Sequence, residues 1–284
     1  MSAIAGTATE TAYAKLNLAL HVRRRTADGY HDIETLFAFC EEGDRLALAD
    51  TPGLAVTGPF ADALAGEGDN LVPRAARAFA ETFGIGDPPG FVLDKRLPVA
   101  AGIGGGSADA AAALRLLARA HGVDPVAPPL MAIAAALGAD VPACLVARLT
   151  RGEGRGDRLE PIDPGAVAGA PVLLVNPRLP LATGPVFRGW DGRDRGPLGQ
   201  GDPLAVALAG RNDLQPPARA LLPPIGEVLA LLGDQPGVAL ARMSGSGATC
   251  FALFEHDGAR DAADAAIAAA RPGWWRLPTR LRAT

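Results

Sequence analysis

Between Phe91–Leu97, which reads as a strand, and an alanine-rich run from about Ala108 to His121, which reads as a helix, the chain spells Gly102-Ile103-Gly104-Gly105-Gly106-Ser107. Glycines let backbone approach a ligand closely, and the free N–H groups and dipole of a helix start favour an anion such as phosphate. The segment is not a Walker loop, because no Gly-Lys-Ser/Thr follows. It is a poor dinucleotide fingerprint as well: Gly102-x-Gly104-x-x-Ser107 lacks the third glycine and lies far into the chain. A plain linker or a tight helix-packing turn is the competing reading of the same residues. A second Gly/Ser segment, Met243-Ser-Gly-Ser-Gly-Ala-Thr249, precedes the apolar run Cys250–Phe254.

Four other places carry chemistry-bearing side chains. From Thr11 to Val22 the sequence alternates, with Ala12, Ala14, Leu16, Leu18, Leu20 and Val22 on one side and Thr11, Tyr13, Lys15, Asn17 and His21 on the other. That is the period of a strand, so Lys15 and Asn17 project from one face, about 7 Å apart. Asp140, in Gly138-Ala-Asp140-Val-Pro142, is either a turn aspartate or a carboxylate that takes a proton from an alcohol, as phosphoryl transfer requires. A lysine near such a group keeps it ionised and holds phosphate charge. Tyr30 and His31 follow Asp28-Gly29 at a hairpin tip; they suit stacking on and reading a pyrimidine, or they are simply turn residues. Thr183 is a weaker candidate for hydrogen bonding a polyol or phosphate. The run Arg23-Arg24-Arg25 either attracts a diphosphate or forms a solvated face.

The elements that must position these groups follow from pattern. A strand from Thr11 and a second through Ile33, Leu36 and Phe37 make an opening hairpin. Asp69 or Asn70 caps a helix over Leu71–Phe83, which Gly84 ends. Pro128 and Pro129 start another helix through Leu137, Cys144–Ala147 reads as a buried strand, and Arg151–Asp157 as a loop. Past a boundary near residue 160, the expected elements are a strand at Val172–Val175, an exposed loop at Gly184–Gly201, helices at Leu204–Ala209, Pro224–Leu232 and Ala259–Ala270, and a strand at Cys250–Phe254. Mixed hairpins and helices predict an α+β fold with an N-terminal domain over 1–160 and a C-terminal domain over 161–284.

Bulk properties exclude several classes. The 284 residues carry a formal net charge of −4, which argues against a general nucleic-acid binder. Hydrophobic residues make up 49%, enough for a sizeable core. The three cysteines and four histidines show no metal-ligand spacing and no disulfide framework, so a cytoplasmic protein is expected. The N-terminus lacks the pattern of a signal peptide. Ala108–Ala120, the richest apolar stretch, is interrupted by Asp109, Arg115 and Arg119 and is too short to cross a bilayer.

The stretch Pro98-Val99-Ala100-Ala101-Gly102-Ile103-Gly104-Gly105-Gly106-Ser107-Ala108 resembles the phosphate-binding loop of the GHMP kinases. Ala14-Lys15-Leu16-Asn17-Leu18 is similar to that superfamily's N-terminal motif and Met243–Thr249 to its C-terminal glycine motif, in the same order. Asp28-Gly-Tyr30-His31, Gly138-Ala-Asp140-Val-Pro142, Arg211-Asn-Asp-Leu and Arg242-Met-Ser-Gly-Ser-Gly resemble the branch acting on 4-diphosphocytidyl-2-C-methyl-D-erythritol. The resemblance implies a two-domain fold with an active-site cleft between the domains, and ATP-dependent phosphorylation of that substrate's 2-hydroxyl in isoprenoid precursor synthesis. It implies ATP on Pro98–Ala108, Lys15 and Asp140 as the catalytic pair, Tyr30 and His31 on the cytosine, and Asn17 and Thr183 on the substrate. Mg²⁺ would accompany the phosphates with no protein ligand assigned, and the chain would act as a monomer or homodimer. Ile103 stands where the family often has Leu, and Ala108 where a second Ser is common; the latter removes one hydroxyl. The alternatives are another GHMP kinase, such as homoserine or mevalonate kinase, a nucleotide sensor on the same fold, and, remotely, an NAD-dependent oxidoreductase.

Overall fold

The computed structural model describes residues 8–65 and 70–284. By its internal packing the chain forms two compact units, each built from three stretches of sequence. The first takes the chain up to Ala14, Glu42–Val99 and Gly104–Ala147; the second takes Lys15–Glu41, Ala100–Ile103 and Arg148–Thr284. Two long strands, β1 (Thr9–Arg25) and β2 (His31–Ala49), therefore each give residues to both units. The chain crosses between the units for the last time at 147/148.

In the first unit, the far end of β2 pairs antiparallel with β4 (Gly90–Asp94), from Arg45↔Asp94 to Ala49↔Gly90, and β3 (Leu54–Thr57) adds to β4 in parallel. Between β3 and β4 lies α1 (Leu71–Phe83). Asn70 accepts from the Val72 N–H at its start and Gly84 turns left-handed at its end, as the sequence leads one to expect. Asp69 lies outside the described residues. The central helix is α2 (Gly105–His121), packed against α1, α3 (Pro128–Leu137) and α4 (Val141–Val146). Its alanines allow that closeness on several sides: every residue from Ala108 to Leu114 is buried. Arg115 ties α2 to its neighbours, donating to Glu10, to the Thr11 carbonyl and to the Cys144 carbonyl at 2.6–3.0 Å.

The second unit pairs the near end of β2 with β5 (Thr150–Gly154), and β5 with β6 (Arg158–Pro161), all antiparallel. Its other sheet has the order β10-β7-β9-β8, from β7 (Pro171–Asn176), β8 (Val238–Met243), β9 (Cys250–Phe254) and β10 (Trp275–Arg280). The helices are α5 (Thr183–Arg188), α6 (Pro203–Ala209), α7 (Gln215–Leu221), α8 (Pro224–Gly233) and α9 (Asp257–Ala270). Leu173, Val175, Ile225, Val228, Met243, Cys250 and Ile267 share its core with Leu20 and Val22 of β1.

Several expectations need correction. Cys144–Ala147 is not a strand: Val141–Val146 is a helix with Pro142 in its first turn, and so short an apolar run carries no readable period. Arg151–Asp157 is mostly strand, not loop. Gly152 sits in β5 because the Phe37 ring lies over it, 2.6 Å from where a Cβ would stand. The expected loop 184–201 begins inside α5, and α7, with Pro216 and Pro217 in its first turn, had no counterpart. The α2 helix starts at Gly105 rather than Ala108, so two of the loop glycines are helical, while β4 stops at Asp94. No helix among the described residues is long and apolar enough to cross a membrane.

Candidate active site

β1 alternates only as far as Ala14; from Lys15 to Val22 both faces are buried. Lys15 is 3% exposed and Asn17 2%. The Lys15 ammonium donates to Asn17 Oδ1 at 3.0 Å and stands 5.2 Å from the centre of the Phe37 ring. Asn17 Nδ2 donates to Thr35 Oγ1 at 2.8 Å, and the Thr35 hydroxyl in turn donates to the Ala19 carbonyl at 2.7 Å. Strand geometry thus places Lys15 and Asn17 side by side as expected, but in a packed polar chain rather than on a wet face.

The same part of β1 holds the second Gly/Ser segment. Asn17 N–H donates to Ser244 Oγ, and Ser244 Oγ–H to the Gly102 carbonyl at 3.0 Å. Lys15 N–H donates to Ile103 O, and Thr249 N–H to Ala101 O. Asn212 Nδ2 bridges the carbonyls of Met243 and Gly245 at 2.7 and 2.8 Å. Asp213 accepts from Val22 N–H at 2.8 Å and from Arg211 Nε at 2.7 Å. The buried Arg242 guanidinium donates to the carbonyls of Leu18, Ala207 and Gly210; burial lowers its pKa to about 10. The segments around 211 and 242 are therefore scaffolding for the strand that carries Lys15. Thr183 is exposed at the start of α5, with its hydroxyl 3.0 Å from that of Ser246.

Of the expected loop, Pro98, Ala101, Ile103 and Ala108 are buried, Val99, Gly102, Gly104, Gly105 and Ser107 half-buried, and Ala100 and Gly106 exposed. Gly104, left-handed at φ 66°, is the N-cap of α2 and has no side chain to offer. The first-turn amides of α2 are thus left without a side-chain cap, whereas α1, α6 and α9 are capped by Asn70, Asp202 and His256. Seventeen residues of helix dipole end on those amides, an arrangement suited to phosphate. Beneath them, in the same unit, lies a cluster the sequence reading missed: the Lys95 ammonium, 2.6 Å from both Asp44 Oδ2 and Asp109 Oδ2. Its signal was register, since Lys95 falls in line with the buried Phe91, Leu93 and Leu97. Burial raises the Asp109 pKa to about 7, against Lys95 and with Asp44. Lys95 itself is held above its ordinary value, because the two carboxylates outweigh its desolvation.

Asp140 is half-buried at the N-cap position of α4 and makes no side-chain cap there; its carbonyl accepts from Cys144 N–H.

At the hairpin tip Tyr30 is 54% exposed, and the Arg155 guanidinium lies 4.3 Å from its ring centre. His31 is buried, with Phe187 at 5.1 Å and Trp190 edge-on at 5.8 Å. Its pKa is lowered, first by burial and then by Arg25. Phe187, Trp190 and Arg155 were not among the expected residues; they come from distant stretches and carry no local motif. Arg23 is engaged by Glu34 and Asp194 and Arg24 by Asp32, so these two serve as structural ion pairs. Among the described residues no group of three or more His, Cys, Asp or Glu side chains is arranged to hold a metal ion.

Known proteins resemble this chain in sequence and in fold. The GHMP kinases N terminal domain matches residues 70–148 and the GHMP kinases C terminal domain residues 198–272. The chain is 64% identical to 4-diphosphocytidyl-2-C-methyl-D-erythritol kinase of Rhizorhabdus wittichii, covering 96% of this chain and 94% of that one. A crystal structure of 4-(cytidine 5'-diphospho)-2C-methyl-D-erythritol kinase superposes with a TM-score of 0.79 at 34% identity, covering 97% and 99% of the two chains. Homoserine kinase from Cytophaga hutchinsonii, covering 100% and 98%, has a TM-score of 0.67 at 16% identity, a likeness of fold alone. The chain belongs to the GHMP kinases and, among them, to the 4-diphosphocytidyl-2-C-methyl-D-erythritol kinase family, enzymes that phosphorylate a small molecule with ATP as co-substrate.

Proposed function

We propose that this enzyme transfers the γ-phosphoryl group of ATP to the 2-hydroxyl of 4-diphosphocytidyl-2-C-methyl-D-erythritol, in cytoplasmic isoprenoid precursor synthesis. The observation that carries the phosphoryl-transfer part is the uncapped, glycine-built start of α2, which offers backbone N–H groups to phosphate. The relatives' substrate supports the rest. In this reading Pro98–Ala108 hold ATP, and the chain divides into an ATP-binding domain over 1–160 and a C-terminal domain over 161–284. Asp140 takes the proton of the attacking hydroxyl. Lys15, with its ammonium oriented by Asn17, stabilises charge on the transferring group. Tyr30 and His31 receive the cytosine; Phe187 behind His31 gives the base an apolar wall. Asn17 and Thr183 contact the sugar alcohol or its phosphates.

Mg²⁺ fits this site only as a companion of the phosphates, since the described residues hold no carboxylate cage and Mg²⁺ keeps most of its waters. It would neutralise phosphate charge.

A coupled ADP-release assay with the cytidyl substrate, mevalonate and homoserine in parallel tests the assignment. ADP release is expected with the first alone; turnover driven by mevalonate or homoserine would move the chain to another branch. Asp140→Asn should leave ATP affinity nearly unchanged and reduce turnover about 10²–10⁴-fold. Near-wild-type turnover would make Asp140 structural.

A further inference from the structure

We propose that Lys95 is a positioning residue for the ATP phosphates: clamped by Asp44 and Asp109, its ammonium ties the stem that enters the first glycine segment to the helix α2 that leaves it. This rests on the reading of that segment as the phosphate site. Asp44 works with both oxygens, Oδ2 accepting from Lys95 Nζ at 2.6 Å and Oδ1 from the backbone N–H groups of Arg96 and Leu97 at 2.6 and 2.7 Å. One carboxylate thereby fixes the direction of the chain entering the segment. Asp109, one helical turn beyond Gly105, holds the same ammonium from the other side at 2.6 Å. A Cβ at Gly105 would come within 3.2 Å of Nζ and 3.9 Å of Asp44 Oδ2, so the clamp lies directly under the first residue of α2.

Stability does not account for such a cluster. Lys95, Asp44 and Asp109 are all at most 2% exposed, and Asp109 Oδ1 has no hydrogen-bond partner among the described residues. Desolvating these groups is costly, and apolar replacement of buried ion pairs is often neutral or favourable. Around it α2 is otherwise packed with alanine and leucine. Burial raises the Asp109 pKa to about 7, which lessens the negative charge the cluster sets beneath the phosphates.

The test is the isosteric neutral variant Lys95→Met/Asp44→Asn/Asp109→Asn, which leaves no lone buried charge. ATP affinity by calorimetry, KM for the alcohol substrate and thermal melting without nucleotide are read together. The clamp predicts a folded protein whose ATP dissociation constant rises about tenfold or more, with the alcohol's KM within about twofold of wild type. Unchanged ATP affinity in the folded variant overturns the proposal, as does a parallel loss in both substrates. If the triple variant does not fold, Asp109→Asn alone should keep the fold and weaken ATP about tenfold, as weakening one charge-assisted hydrogen bond would; an unchanged constant there overturns it equally. Wild-type protein that neither binds ATP nor releases ADP would overturn the kinase reading itself, a result distinct from these.

Discussion

A Cβ added at Gly102 would stand 2.5 Å from the carbonyl oxygen of Gly247 and 2.7 Å from that of Ser244, and one at Gly245 would stand 2.9 Å from the carbonyl oxygen of Gly102. At Gly106, four residues along, the nearest atom to an added Cβ is a Leu71 methyl at 4.0 Å. The crossing of Gly102 with the second Gly/Ser segment is closed by backbone on both sides, so its glycines are required by the protein itself. At Gly106 the opening turn of α2 has room for a side chain and carries none. Glycine in a helix is otherwise a cost, so its presence at Gly106 points outward, to something that must come close to the backbone.

This contrast can be broken at either end. The largest effect is expected at the crossing: Gly102→Ala combines a backbone clash with a φ of 75° and should lower stability by about 3–4 kcal/mol, seen as a shifted urea midpoint. A near-neutral effect would mean that the crossing is loose. Next comes Asn212→Ala, which strands the carbonyls of Met243 and Gly245; a loss of about 1–3 kcal/mol is expected, and a loss of turnover at full stability would instead give Asn212 a role in the reaction.

Smaller still is the pH effect of Asp109. Its pKa in the fold, about 7, lies above the ordinary 3.8, so the proton it keeps favours the folded state. That contribution is complete below about pH 4 and fades as pH rises through 7. Asp109→Asn should remove this slope, and the variant should therefore gain on wild type between pH 5 and pH 8 in urea unfolding. A constant difference between the two proteins across that range would show that Asp109 is ionised throughout.

Legibility in the sequence followed the kind of physics involved. Helix α1 was readable to the residue because its cap, its period and its terminal Gly84 are all local; α3 was announced by Pro128 and Pro129. The helix Val141–Val146 and the strand Thr150–Gly154 were misread because a six-residue apolar run and a glycine-rich strand take their conformation from what packs on them. Within the candidate site, the Gly102–Ser107 segment and the Lys15–Asn17 pair were visible as spacing. The burial of that pair was not, because its cover comes from Thr35, Phe37 and Ser244, distant in sequence. Lys95 belongs to no motif, although its place in line with Phe91, Leu93 and Leu97 already sets it on the inner face.

The most direct test of the account is Gly106→Ala, measured by ATP calorimetry beside thermal melting without nucleotide. An alanine in the first turn of α2 meets nothing closer than 4.0 Å, so the fold should gain about 0.5–1 kcal/mol. If that turn receives the ATP phosphates, the same methyl group occupies the space they need, and the dissociation constant should rise about tenfold or more. Opposite signs in the two measurements are the predicted result. A more stable protein that binds ATP as tightly as wild type would contradict it and return Gly102–Ser107 to the status of a linker.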